Sequence, residues 1–407
     1  MNTVLNNENE PKVGLFGAIA IIIGCVIGAS IFILLGPITA KTGPSMWMAY
    51  GLASIPAFIG SIYYMQLGSS IPSKGAIYAY TSKLLNPIVG AVSCWMFIIA
   101  GISALAAMSV GFGHYLHHYV SAAPVFPTAI AILLLLYIIN MMGLKTATVV
   151  QIIMTIIIIG ALLMFALPGL GHITEYQGLK TWFPFGTGGL LFAMVTAFFS
   201  YTGYQIASEM GSEISDPQRN LPKAIIIGLV AVTVLYLLVG YVTNGVVNGE
   251  IIAKAEASVP TAAAVFLPGW AQVILGIGAL LAVATTINAV LMTFARDFIV
   301  LGETGFLSDA FCRINKNGTP YYALTTLTVF ALLLIVLQMD IDLLSLIVVF
   351  GFLGGSIMCG IACWFLPKKY PELYENSAVK IPKAILKASI ILGVLLNIGF
   401  ILLAGMD

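Results

Sequence analysis

The chain has 407 residues, of which 60% are apolar and 8% charged, and its mean hydropathy is +1.04. So few charges cannot coat a soluble surface of this size, so most of the exterior must face lipid. A formal net charge of +1 leaves no basic excess with which to recognise a nucleic acid.

Eleven apolar runs follow one another at 14–36, 45–67, 87–116, 126–142, 147–170, 187–211, 222–247, 269–300, 321–338, 342–366 and 385–405. Each lies near the roughly 20 residues that cross a bilayer as a helix. Residues 1–13 form an N-terminal tail with Glu8 and Glu10. The first run is too long for a signal peptide and lacks a cleavage site, so it is expected to remain in the mature protein. Its middle is interrupted by Gly24-Cys25-Val26-Ile27-Gly28-Ala29-Ser30-Ile31-Phe32. A helix that opens in hydrocarbon frees N–H and C=O groups, which is tolerated where the broken backbone lines a protein cavity. The Gly24 and Gly28 spacing also suits close helix packing, the ordinary alternative.

The third run is long enough to tilt, and His114, His117 and His118 close it as an interfacial cluster whose ordinary role is solvation. Residues 168–186, with Pro168, Gly169, Gly171 and Pro184, read as a loop rather than a helix end. In the sixth run Ser200-Tyr201-Thr202-Gly203 makes a second interruption. Paired broken helices in two halves of a chain point to a secondary transporter. Cys25, Cys94, Cys312, Cys359 and Cys363 are odd in number with no external pair, so no disulfide is expected. Cys359 and Cys363 share a helix face as packing residues, no metal-ligand set joins them, and Asn317-Gly318-Thr319 falls in a loop on the wrong side for glycosylation.

With the N-terminus inside, the basic residues on the cytoplasmic side are Lys12, Lys74, Lys83, Lys145, Arg219, Lys223, Arg296, Arg313, Lys316, Lys368, Lys369, Lys380, Lys383 and Lys387. Only Lys41, Lys180 and Lys254 lie outside. Lysine and arginine accumulate in cytoplasmic loops, so the expected protein is multi-pass in the plasma membrane, with a cytoplasmic N-terminus and an external C-terminus.

Gly28-Ala29-Ser30-Ile31-Phe32 resembles the Gly-x-Gly-[Ile/Val]-Phe element of the amino acid–polyamine–organocation (APC) family of permeases, with Ser30 in place of the second glycine. The likeness continues at Phe199-Ser200-Tyr201-Thr202-Gly203-Tyr204-Gln205, and at Glu213-Ile214-Ser215-Asp216-Pro217-Gln218-Arg219-Asn220-Leu221-Pro222-Lys223-Ala224. It extends through Ala295-Arg296-Asp297, Gly302-Glu303-Thr304-Gly305-Phe306-Leu307 and Asn317-Gly318-Thr319-Pro320. The resemblance implies an all-α polytopic membrane protein of LeuT-like fold, with inverted five-helix repeats at 14–170 and 187–366 that open with broken spans one and six. The helix at 385–405 is additional, and the twelfth span of many relatives is absent.

The N–H groups of Ala29, Ser30 and Ile31, at the positive end of an outward half-helix, are placed to hold a carboxylate. Carbonyls of Val26, Phe199 and Thr202 would accept from an ammonium, with Gly28, Ser200 and Gly203 shaping the two breaks, so an α-amino acid satisfies both ends. No charged residue lies in the middle third of a span, which favours a neutral amino acid. Phe199 aligns with an aromatic that caps substrate in relatives, and Ser103 and Ser356 are candidates for the side-chain pocket.

Some relatives carry a titratable Glu where this chain has Gln205, and several carry a Lys near the position of Ile158. A sodium site would draw on Gly24 and Ile27 carbonyls with the Thr285 and Thr286 hydroxyls, although paired threonines ordinarily bond their own backbone. Coupling to Na+ or H+, or exchange, therefore stays open, with no cofactor. The expected partners are a neutral amino acid and the bilayer, with no obligate protein. An enzyme is excluded for want of a catalytic constellation, and the alternative is a non-transporting sensor or scaffold of the same fold.

Overall fold

The computed structural model describes residues 12–28, 30–174, 185–255 and 257–404. Ala29, most of the tail, Lys180 and most of segment 168–186 lie outside them. Among the described residues the fold is helical, joined only by two isolated bridges, Val13 with Ile214 and Lys74 with Met210. Eight helices are long and apolar enough to cross a membrane, and three shorter apolar helices, Val125–Met141, Gly186–Phe199 and Tyr321–Val336, complete the expected series.

Span one comprises Leu15–Ile27, Ser30–Ile33 and Leu35–Thr42, and span two is Met46–Ser70. Span three, Pro87–Tyr119, is a single helix begun by Asn86, whose side chain accepts from the Val89 N–H. Spans four and five are Val125–Met141 and Leu144–Gly169. Pro168 and Gly169 therefore belong to the last turn of span five, which Leu170–His172 continues as a 3-10 turn. This corrects the loop expected from Pro168 onward: the Leu170 N–H still reaches the Ala166 carbonyl, so the ladder survives the proline. His117 also has a structural partner, the Ala123 carbonyl at 2.8 Å.

Span six begins as Gly186–Phe199 and, after its break, continues only as the 3-10 turns Ile206–Glu209 and Gly211–Glu213. The helical continuation expected from the run 187–211 is replaced because its backbone pairs elsewhere. The Gly75 N–H donates to the Glu209 carbonyl, Ser212 N–H to Ser73, and Val13 exchanges bonds with Glu213 and Ser215. A Cβ at Gly211 would meet the Ser73 carbonyl at 2.9 Å, so this approach needs glycine. Spans seven to eleven are Pro217–Val246, Gly269–Glu303, Tyr321–Val336, Ile341–Lys369 and Lys383–Ala404. Hydropathy alone did not mark the short helices between them: Ala76–Leu84 before span three, Gly249–Lys254 and Ser258–Phe266 before span eight, and Pro371–Glu375.

Span one lies inside the bundle against spans five, seven and eight. Its Ala20 carbonyl accepts from Gln151 Nε2 (3.4 Å) and Thr155 Oγ1 (3.2 Å) of span five. Asn288 of span eight donates to Gln151 Oε1 and accepts from Asn140 of span four, both at 2.8 Å. All three amides are buried, so each needs the others. Ile158, where relatives place a Lys, is fully buried as an apolar side chain. An Asn288→Leu variant leaves Gln151 Oε1 and one N–H of Asn140 without a partner, a loss of about 1–3 kcal/mol for each unsatisfied buried group. Its thermal midpoint in detergent is expected to fall, and an unchanged midpoint would show that the chain of amides does not hold these spans.

Candidate functional site

The first half of span one closes at Gly28, whose φ is +40° and whose N–H still reaches the Gly24 carbonyl at 3.4 Å. A Cβ there would meet Thr286 Oγ1 at 2.8 Å, so both conformation and space select glycine. The helix restarts at Ser30, and Leu34→Ser30 and Ile38→Leu34 backbone bonds of 2.8 and 3.0 Å carry it through to Thr42. Its positive end faces the break. Ala29, one of the predicted carboxylate donors, lies outside the described residues, whereas Ile31 is buried and Ser30 half-buried.

In span six, the amides of Ser200, Tyr201 and Thr202 reach back three residues to Ala197, Phe198 and Phe199, so the helix tightens before it stops. Gly203 then adopts φ +113°, and its N–H donates to Gln205 Oε1 at 3.2 Å. A Cβ on Gly203 would approach Cys25 Sγ to 2.9 Å. The two breaks thus lie against each other.

A residue that the sequence reading missed holds them there. The Tyr236 hydroxyl of span seven lies 2.9 Å from both the Val26 and the Ser200 carbonyls, 3.4 Å from the Ile27 carbonyl and 3.2 Å from Ser30 Oγ. Tyr236 is fully buried and packs edge-on to Tyr201. The Val26 carbonyl, expected to be unpaired, is therefore engaged by the Tyr236 hydroxyl. The Phe199 carbonyl is also taken, by the N–H and Oγ1 of Thr202 at 3.2 and 2.8 Å. Both corrections have one cause, since a carbonyl freed in a dry interior finds the nearest donor in the protein itself. Among the described residues no protein donor reaches the Thr202 carbonyl. Ser30 Oγ donates to the Ile27 carbonyl at 3.0 Å.

Thr285 and Thr286 meet span one where expected, with hydroxyls 3.0 and 3.3 Å from the Gly24 carbonyl. Thr285 also bonds Ala282 of its own helix at 2.7 Å. Neither threonine bonds Ile27, which belongs to the Tyr236 side of the break. Ser356 pairs with Tyr63 of span two at 2.6 Å, and Ser103 is buried on span three. Among the described residues no hydrogen bond brings either serine to the breaks.

At the end of the bundle where span six finishes, Arg296 grips Glu213 through Nη2–Oε2 at 2.9 Å and through Nε to both carboxylate oxygens at 3.2 and 3.1 Å. Nη1 donates to the Met292 carbonyl. Arg296 is 6% exposed, so it is an internal clasp between spans six and eight rather than a loop cation.

Two interrupted helices packed face to face inside a polytopic helical membrane bundle define a membrane transporter rather than an enzyme. A family model described as amino acid permease matches residues 13–406, and the chain belongs to that family, with the LeuT-like fold it entails. It is 27% identical to the methylthioribose transporter of Bacillus subtilis (strain 168) over 379 residues, covering 88% of this chain and 81% of the relative. The branched-chain amino acid permease BcaP of the same organism is 26% identical over 387 residues, 89% and 82% of the two chains. The serine/threonine exchanger SteT, also from that strain, is 25% identical over 391 residues, 93% and 87%.

A Tyr236→Phe variant removes the one proton shared between the Val26 and Ser200 carbonyls and is expected to cost about 1–3 kcal/mol. The thermal midpoint should fall and ligand binding should weaken together; retention of both would remove Tyr236 from the site. A Gly203→Val variant cannot adopt φ +113° beside Cys25 without strain. It is expected to abolish binding in a protein that still purifies as a single species, and normal binding would separate span six from the substrate.

Proposed function

We propose that this permease moves neutral α-amino acids across the plasma membrane by alternating access, as ion-coupled uptake or exchange, with the substrate held between the two breaks. The substrate carboxylate meets the N–H groups that open the helix at Ser30 and Ile31, and the ammonium meets the Thr202 carbonyl. The observation that carries this reading is the pair of breaks in contact at Gly203 and Cys25, with a helix start on one side and an open carbonyl on the other. A zwitterion matches that polarity with no charged side chain.

The neutral class is supported by the absence of a carboxylate or cation among the described residues that bond across the breaks, and two relatives are named for branched-chain amino acids and for serine and threonine. Residues 14–170 and 187–366 are read as the two repeats that rock about the site. The fourteen basic residues assigned to one side against three on the other favour a cytoplasmic N-terminus and an external C-terminus. Burial of Arg296 removes one from that balance without altering its sign.

Uptake of a panel of labelled amino acids into proteoliposomes, with a sodium gradient, a proton gradient or internal amino acid, tests the reading. Flux of small neutral amino acids is expected, and specific binding without flux under every condition would instead establish a sensor of the same fold. Because Ser30 Oγ caps Ile27 beside Tyr236, Ser30→Gly is expected to widen the site and shift the competition profile. An unchanged profile would place Ser30 away from the substrate.

A further inference from the structure

Two carboxyl groups below the break in span six have no part in the site described so far. Glu209, on the turn Ile206–Glu209, is 1% exposed, and Asp297 of span eight is 0% exposed. Their side chains face each other within hydrogen-bonding reach. Glu209 Oε2 accepts from the Ile77 N–H at 3.2 Å, but among the described residues neither oxygen of Asp297 receives any donor.

Among the described residues no cation, including Lys74 on the neighbouring loop, pairs with either carboxyl. Arg296, next to Asp297 in the chain, is committed to Glu213. Cys94 of span three, a neutral thiol beside Asp297, donates to the Asp297 backbone carbonyl at 3.7 Å. Cys359 of span ten and Tyr80 of the helix Ala76–Leu84 are the other titratable groups near enough to feel the Glu209 charge. Tyr80 is itself fully buried, and among the described residues its hydroxyl has no partner. Two ionised carboxylates cannot share such a place without a cation, whereas one proton between them turns repulsion into a hydrogen bond.

We propose that Glu209 and Asp297 hold one proton between them and form the proton-coupling site of the carrier. This inference rests on the transport reading and names its coupling ion. Glu209 sits on the turn that follows Gly203, and that turn is held by loop 71–75 through the Gly75 bond to the Glu209 carbonyl and the Ser212 bond to Ser73. When this end opens, the turn leaves span eight, the carboxyl oxygens separate, and water accepts the shared proton from whichever oxygen carries it. Closing with both carboxylates ionised is disfavoured, so the return depends on a proton being bound.

Infrared difference spectra of the purified protein in H2O and D2O at neutral pH read the proton without reference to transport. A protonated-carboxyl band is expected in the wild type and is expected to vanish in both Asp297→Asn and Glu209→Gln, because the new amide donates to the remaining carboxylate. A wild type without the band, or a band that persists in both variants, overturns the shared proton. In proteoliposomes, Asp297→Asn is expected to exchange external labelled L-alanine, L-serine or L-isoleucine against internal unlabelled amino acid at the wild-type rate. It should lose accumulation driven by an inward proton gradient, which for one proton and one pH unit is about tenfold at most. Gradient-driven accumulation equal to wild type, or loss of exchange and accumulation together in both variants, overturns the coupling role. A wild type that exchanges none of these amino acids contradicts the transport reading instead, while the infrared band still decides the shared proton.

Discussion

The Tyr236 hydroxyl, placed between the Val26 and Ser200 carbonyls, is the contact on which the centre of the molecule depends. Two helices broken inside a membrane protein expose carbonyls that no water from the lipid can satisfy. One hydroxyl from span seven shares its proton between the two breaks, and Ser30 and Thr202 donate to the Ile27 and Phe199 carbonyls from within the broken segments. The consequence is selective. Several of the freed carbonyls are engaged by the protein itself, whereas among the described residues no donor reaches the Thr202 carbonyl.

The same economy of polar groups organises the two sides of span one. Toward spans four, five and eight, the chain Asn140–Asn288–Gln151 reaches the Ala20 carbonyl, and Thr285 and Thr286 reach Gly24. Toward span seven, Tyr236 takes over. Span one is thereby anchored before its break by side chains from spans five and eight, while the half-helix that begins at Ser30 is tied through Tyr236. The continuation of span six is held by loop 71–75, by Val13 and by the Arg296–Glu213 clasp.

The spans and both breaks were legible in the sequence because hydropathy sets span length and Gly28 and Gly203 are needed where φ turns positive. The partners of the freed carbonyls were not, since a tyrosine in an apolar run carries no mark of the direction it faces. The helical continuation of span six failed for a related reason: its backbone is satisfied by residues far away in the chain, at Ser73, Gly75 and Val13. Glu209 and Asp297 fell in the end thirds of the runs 187–211 and 269–300, where charge is unremarkable, but span eight runs on to Glu303, which places Asp297 within the helix and out of water. Ser103 and Ser356 show the limit of residue type as a guide, because Ser356 is turned to Tyr63.

The central claim is that an amino acid occupies the space between the two breaks. An electron cryo-microscopy map of the protein saturated with the neutral amino acid of highest flux tests it most directly. The account predicts ligand density with its carboxylate at the Ser30 and Ile31 amides and its ammonium at the Thr202 carbonyl. Density lodged elsewhere, with the Tyr236 contacts and both breaks unchanged from the ligand-free protein, would contradict it.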